Sequence, residues 1–465
     1  MPSADSLRLS GTIPKAVRTI CNRLAERGFR GWVVGGSVRD SLLSGSESAP
    51  RVENDWDVAT DARPEQVQAI FNRVIPTGIE HGTVTVLLDG TGYEVTTLRG
   101  ETSYSDGRRP DSVHFVDDIV ADLARRDFTI NAIAFDPLSE QLIDPFGGQE
   151  DLKLRILRAV GEPLERFNED GLRVLRAARF VATLEVELDP KTARAILPSL
   201  DTYRKVSAER VRDEWVKTMK AQHPSRAFEV MREHGLLAIT APELLASVGC
   251  EQNRYHAFDV WGHAMACLDA CPRSPTLRMA GLLHDVGKPK SRAKSEKTGD
   301  YTFYEHERIG AEMAAPMLSR LRFSNEERER IVALVRHHLI CYDPSWSDSA
   351  VRRWVRRVSP ELLADLYALG AADAAAKGRD ASEDVKNLKE LEQRVSELLA
   401  AGAVLSARDL QVDGRGLMDA LGLAPGPKLG EILRTLLDKV VDDPALNDRE
   451  TLLQLAKEYL LTNQT

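Results

Sequence analysis

The chain has 465 residues, 43% apolar and 29% charged, with a formal net charge of −9. That balance excludes a protein that coats nucleic acid non-specifically and confines any polyanion site to a local basic face. No apolar run approaches the roughly 18 residues of a membrane helix, and five cysteines without a C-x-x-C pair argue against a disulfide framework or a zinc knuckle. The opening "MPSADSLRLSGTIPKAVRTI" lacks the apolar centre of a signal peptide, so the expected compartment is the cytoplasm.

Length allows roughly three domains of 100 to 200 residues each. The first region, 1–150, alternates short helices and strands. Val17, Ile20, Cys21 and Leu24 recur at helical spacing, "GWVVGG" reads as a strand, and "GTVTVLL" and "YEVTTL" flank a turn at "DGTG". The stretch "GGSVRDSLL" (35–43) opens a helix on a glycine pair. Backbone N–H groups at Gly35 and Gly36 can approach a polyanion there, with Ser37 and Arg39 adding donors. In "NDWDVAT" (54–60), alternate side chains share a face. Asp55 and Asp57 therefore point one way, and Trp56 and Val58 the other. Two carboxylates crowded on one face repel unless a cation sits between them. Glu94 in "YEVTTLR" stands at a strand position suited to a third carboxylate, or is simply solvent-facing. The order strand, glycine pair, helix, then D-x-D on the next strand describes a phosphate cradle beside a metal pair, hence a nucleotide site.

Further along, "RRDFTINAIAFD" (125–136) supplies Arg125 and Arg126, with Asp127 and Asn131 placed to cap or hydrogen-bond a turn. From about 150 the text is helical almost throughout. "NEDGLRVLRAARF" (168–180) reads as a helix starting near Glu169, with Asp170 and Arg173 adjacent one turn apart and Arg176 and Arg179 following at steps of three. Such a face is either a surface salt bridge beside exposed arginines, or a set of fixed donors and acceptors aimed at a base edge. Softer stretches at 47–54, 293–300 and 378–384 mark candidate boundaries, the second being a loop inside a domain. Six of the ten histidines fall between residues 256 and 338.

Taken in order, "GGSVRD", "DWDVAT", "YEVTTLR", "RRDFTINA", "GGQEDL" and "EDGLRVLRAARF" resemble the class II tRNA nucleotidyltransferases, that is, the CCA-adding enzymes and their poly(A) polymerase relatives. The resemblance covers residues 30–180 and implies an α/β head with a mixed sheet, followed by mostly α-helical neck, body and tail. It divides the chain into a catalytic head (1–150), a neck and body for nucleotide selection and RNA binding (151–245), a metal-binding module (246–385) and a tRNA-binding tail (386–465). It implies Mg²⁺ at Asp55 and Asp57 with Glu94 accompanying. Gly36, Ser37, Arg39, Arg126, Asp127, Asn131, Arg176 and Arg179 fall to nucleotide binding, and Asp170 and Arg173 to reading CTP or ATP. The segment between Arg39 and Asp55 is longer than the family's usual.

The histidine-rich region, with "VWGHAM", "LLHDVGKP", "YEHERIG", "VRHHL" and "AADAAAKGRD", resembles the HD superfamily of metal-dependent phosphohydrolases. That implies His263, His284, Asp285 and Asp373 as ligands, with His306 and His337 for a second ion. Imidazole with carboxylate suits a divalent transition metal such as Ni²⁺, Mn²⁺ or Co²⁺ rather than Mg²⁺. Residues 405–441 resemble the tail of the same nucleotidyltransferases, with Lys428 and Arg434 facing tRNA or solvent.

The expected activity is therefore addition of CCA to tRNA from CTP and ATP, joined to an HD phosphohydrolase. The enzyme alternatives are a poly(A) polymerase or a partial CC- or A-adding enzyme; a non-catalytic RNA-binding module is the alternative of another class. The HD region argues against the poly(A) type, and "SYSDGRRPDSVHF" (103–115) resembles the loop associated with switching from C to A. Monomer and homodimer both remain open.

Overall fold

The computed structural model describes residues 4–43, 56–79, 82–101 and 113–462. Two compact units divide the chain, Met1–Pro242 and Glu243–Thr465. Among the described residues no helix is long and apolar enough to cross a membrane.

In the first unit the strands are β1 (Gly31–Val34), β2 (Asp57–Thr60), β3 (Val74–Gly78), β4 (Thr83–Leu88), β5 (Thr91–Thr97), a side pair β6 (Arg99–Glu101) and β7 (Val113–Phe115), then β8 (Ala134–Asp136) and β9 (Gln141–Ile143). Seven of them form one mixed sheet in the order β3-β4-β5-β2-β1-β8-β9. β1 runs antiparallel to both β2 and β8, whereas β2 runs parallel to β5. Central placement explains why β1 reads as a continuous apolar run: Trp32 and Val33 are fully buried and Val34 is nearly so. Helix Lys15–Ala25 packs its predicted stripe inward, with Val17, Ile20, Cys21 and Leu24 all buried. The core beneath the sheet gathers Trp32, Val34, Ala59, Leu98, Leu123 and Ala134.

Beyond the sheet the chain is helical, as expected. The segment expected to form a single helix from Glu169 is instead two. Helix Pro163–Glu169 ends, Asp170 adopts an extended conformation (φ −142°), and helix Leu172–Thr183 begins after Gly171. The break is built around Gly171, where a Cβ would sit 2.5 Å from the Thr202 carbonyl oxygen. Asp170 thus leaves the helix surface, and its expected pairing with Arg173 is lost.

The second unit is a helical body followed by a helical tail. Helices Val260–Ala270, Pro275–Leu283, His306–Arg320, Asn325–His337 and Leu363–Ala376 form the body. Residues 293–300 form one strand and the tip of a short hairpin, pairing Ala293–Lys294 with Tyr301–Thr302, so this charged stretch is a loop within a unit. In the tail, Leu417, Ile432, Leu436, Val440 and Leu452 make a separate core. Residues 47–54 lie outside those described.

Candidate active site and metal centre

The head site forms where β1 ends. Asp57 pairs opposite Val34, the last residue of β1, and Gly35 follows with φ +78°. A Cβ on Gly35 would lie 3.2 Å from Arg126 Nη1 and 3.7 Å from Asp57 Oδ2. Only glycine takes this left-handed turn without strain and leaves that space between carboxylate and guanidinium. Trp56 and Val58 are buried while Asp57 is half-buried, as strand alternation requires. The parallel register pairs Val58 with Val95, which sets Glu94 beside Asp57, and Glu94 is exposed. Asp55 lies outside the described residues, as does most of 103–115.

Behind these carboxylates runs a hydrogen-bonded relay. Arg39, on helix Gly36–Leu43, donates from Nη1 to Asn131 Oδ1 at 2.7 Å. Asn131 donates from Nδ2 to Asp127 Oδ1 at 3.0 Å, and Arg176 donates from Nε to Asp127 Oδ2 at 2.8 Å. Arg179 closes the far side, donating to Glu214 at 2.5 Å and lying 4.0 Å over the Phe180 ring. Asp122, buried and missed in the sequence, accepts from both Arg125 and Arg126. Ser37 turns its hydroxyl back to the Val34 carbonyl at 3.3 Å.

Burial alone would raise the Asp127 pKa, but the Arg176 charge, the Asn131 amide and Arg173 outweigh it and hold the carboxyl well below the usual range. A depressed folded pKa contributes stability that is present above the unfolded value near 4 and is lost as pH falls through the folded value. Asp127→Asn is therefore expected to cost about 1–3 kcal/mol at pH 7 and to shrink the further loss of stability below about pH 4. Urea unfolding at both pH values measures this, and an unchanged acid slope would refute it.

The base-reading candidates sit at the same cleft with partners the sequence did not suggest. Arg173 donates to Glu169 Oε2 (2.6 Å), to the Arg166 carbonyl (3.0 Å) and to the Arg125 carbonyl (2.9 Å). Asp170 accepts two parallel hydrogen bonds from Arg210, at 3.1 and 2.6 Å. Glu169 and Arg210 thus join the site. A cleft of about 610 Å³ is lined by Gly36, Arg39, Asp57, Glu94, Arg126, Asp127, Asn131, Asp170, Arg173, Arg176 and Arg179, every described head candidate except Ser37. Eight arginines face it against five carboxylates, which makes a local basic site in an acidic chain. The carboxylate oxygens of Asp57 and Glu94 suit a hard divalent cation.

A second cluster lies in the other unit. His263 Nε2 stands 3.2 Å from His284 Nε2 and 2.9 Å from Asp373 Oδ1. His306 Nε2 stands 3.2 Å from His338 Nε2. Asp285 joins the two groups: Oδ2 is 3.2 Å from His284, and Oδ1 is 3.4 Å from His306 and 3.8 Å from His338. Each of these four rings bonds a backbone carbonyl through Nδ1: His263 to Ala376, His284 to Gly281, His306 to Phe303 and His338 to Val335. A carbonyl only accepts, so each Nδ1 carries a proton and each Nε2 is the nitrogen turned inward, where it can offer a lone pair to a metal ion. Inward-facing Nε2 atoms at such distances share either a proton or a cation. Asp285 Oδ2 is buried and paired with Lys288 Nζ at 2.6 Å. Burial alone would lower the His284 pKa, but Asp285 and Asp373 outweigh it and push it up to about 9, so a metal ion bound there displaces the Nε2 proton; burial pushes His338 down to about 3. Two groups, His263, His284 and Asp373, and Asp285, His306 and His338, could each hold a divalent ion.

The sequence expectation is corrected at one ligand. His338, not His337, completes the second group. His338 follows Ile331, Leu334 and Val335 on the buried face of helix Asn325–His337, whereas His337 is half-buried beside Arg357 and Arg336. That apolar stripe was the signal available to choose between them. His256, one of the six clustered histidines, has its ring 4.9 Å from that of His263 but belongs to neither group. Lys428 and Arg434 are exposed on the tail.

Three family models match: the poly A polymerase head domain over residues 31–158, the RNA- and SrmB-binding site of polymerase A over 185–247, and tRNA nucleotidyltransferase domain 2 over 305–456. The A-adding tRNA nucleotidyltransferase of Deinococcus radiodurans is 36% identical, covering 87% of this chain and 90% of that protein. The CCA-adding enzyme of Leuconostoc mesenteroides is 31% identical, covering 95% of each. The crystal structure of the Bacillus stearothermophilus CCA-adding enzyme in complex with CTP superposes with a TM-score of 0.72 at 28% identity, covering 99% of both chains.

Proposed function

Since the chain belongs to the tRNA nucleotidyltransferases, the family of the CCA-adding enzymes, we propose that it builds the complete CCA end of tRNA from CTP and ATP, releasing pyrophosphate at each addition. The observation that carries this reading is a single cleft holding Asp57 and Glu94 together with Asp170 and Arg173. Mg²⁺ held by Asp57, Glu94 and Asp55 would acidify the RNA 3′-hydroxyl and neutralise the leaving pyrophosphate. The chain's own residues position the reactants. Gly35 and Gly36 give the triphosphate close access to backbone N–H groups, and Arg39 and Arg126 place positive charge beside it.

Hydrogen-bond arithmetic explains the choice of base. Of its five N–H groups Arg173 commits three to protein acceptors, leaving two donors. Asp170 offers only acceptors. Cytosine and adenine each present an amino donor next to a ring-nitrogen acceptor, which matches this pair. Uracil and guanine present a carbonyl next to an N–H, so both contacts are repulsive. Asp170→Ala is expected to reduce discrimination against UTP and GTP by about 1–3 kcal/mol, roughly 5- to 150-fold. Unchanged exclusion of both would refute the assignment.

Complete CCA synthesis, rather than A addition alone, is favoured by the stretch 103–115. The test is to incubate purified protein with tRNA lacking its 3′ end and each nucleotide separately, then sequence the products. Addition of A alone would make the chain an A-adding enzyme, and long A tracts a poly(A) polymerase.

A second activity is proposed for the His/Asp cluster, on the four inward-facing Nε2 atoms and the Asp285 carboxylate between them. It would hold Ni²⁺, Mn²⁺ or Co²⁺ and hydrolyse phosphoesters such as 2′,3′-cyclic phosphates. On this reading residues 1–150 are the catalytic head, 151–245 select nucleotide and bind RNA, 246–385 are the hydrolase, and 386–465 hold tRNA through Lys428 and Arg434. The cytoplasm, where tRNA is matured, is the proposed location.

A further inference from the structure

We propose that Arg210 is a positioning residue that sets nucleotide choice by locking the Asp170 carboxylate so that one acceptor lone pair faces the base. The proposal rests on the base-reading role of Asp170.

Asp170 sits at the joint between two helices, its carbonyl accepting from the Arg173 N–H at 3.0 Å while its side chain turns into the cleft. Its carboxylate has about four lone-pair positions. Arg210, reaching from helix Ala208–Thr218, fills one on each oxygen, and the Leu172 N–H fills another on Oδ1 at 3.0 Å. One position remains, on Oδ2. A single acceptor in a fixed direction matches one hydrogen of the amino group of cytosine or adenine. A carboxylate able to swing could accept instead from the ring N–H of uracil or guanine, one position along the base edge.

The ion pair is not needed to dock its helix. Glu214 on the same helix already binds Arg179, and Val211 and Trp215 are buried beneath it. The Arg210 pair, by contrast, lies at the cleft with both side chains partly exposed (24% and 18%). Planar two-point contact makes arginine, not lysine, the residue suited to fix a carboxylate's direction.

The experiment compares wild type, Arg210→Ala and Arg210→Lys for incorporation of CTP, UTP, ATP and GTP into truncated tRNA, each nucleotide alone. Expected is a fall of at least roughly tenfold in the CTP-to-UTP and ATP-to-GTP ratios of kcat/KM for Arg210→Ala. Arg210→Lys, which keeps charge but loses the two-point contact, is expected to fall in between. A merely structural role slows all four nucleotides equally and lowers the Tm with the ratios unchanged, and that result overturns the proposal. If Arg210→Ala does not fold, Arg210→Lys decides on the same ratio. If wild type adds nothing to tRNA, the proposed function fails, and equilibrium binding of CTP and UTP without tRNA still tests Arg210. Loss of CTP preference in the variant supports its role, and an unchanged preference overturns it.

Discussion

Asp57→Ala is expected to lower nucleotide addition by at least roughly a thousandfold, about 4 kcal/mol of transition-state stabilisation, while tRNA affinity changes little. The register that pairs Asp57 with Val34 puts its carboxylate at the glycine turn, facing Arg126 across the space that a Cβ would fill. Removing it takes an oxygen ligand from the proposed cation site without removing any cation that attracts RNA phosphates. Asp55→Ala is expected to behave alike. Labelled CTP incorporation at saturating Mg²⁺, with tRNA binding measured separately, tests both. Near-normal incorporation by either variant would sink the metal role.

Asp285→Ala is expected to bring hydrolysis of 2′,3′-cyclic nucleotides or of a 3′-phosphorylated RNA end to background, with no rescue by Mg²⁺. Asp285 lies between the two groups, 3.2 Å from His284 and 3.4 Å from His306, so its loss separates His263, His284 and Asp373 from His306 and His338. It also leaves Lys288, 6% exposed, without its anion; the cost is about 3–5 kcal/mol, visible as a lower Tm. Nucleotide addition should persist, because Asp57 belongs to the other compact unit. Such a hydrolase would clear a damaged RNA end and expose the hydroxyl that the head extends. Wild-type protein that retains no transition metal and hydrolyses no phosphoester with Mn²⁺, Ni²⁺, Co²⁺ or Mg²⁺ would reduce the cluster to scaffold.

What was legible in the sequence was local. Strand alternation placed Asp57 opposite Trp56 and Val58, and the glycine pair announced the turn at Gly35, because both signals span only a few residues. Partners far along the chain were not legible. Arg210 lies 40 positions from Asp170, and Arg176 lies 49 from Asp127. Helical spacing made Arg173 the natural partner for Asp170, and that inference failed because Gly171 ends the helix against Thr202, a contact no local pattern encodes. The adjacent histidines 337 and 338 differ by one step of about 100° around the helix, so motif spacing alone could not separate them.

The sheet order also governs when the site can exist during synthesis. β1 is made first yet lies near the middle, and its neighbour β8 begins at Ala134. At roughly 5 to 20 residues per second, the ribosome needs about 5 to 20 s to supply the roughly 100 residues between them. Throughout that interval one edge of a wholly apolar strand has no partner, a template for pairing with another nascent chain. Asn131, which ties Arg39 to Asp127, emerges just before β8. The tie between Arg39 and Asp127 and protection of that edge therefore arrive together, whereas Asp170, Arg173 and Arg210 complete the cleft only later.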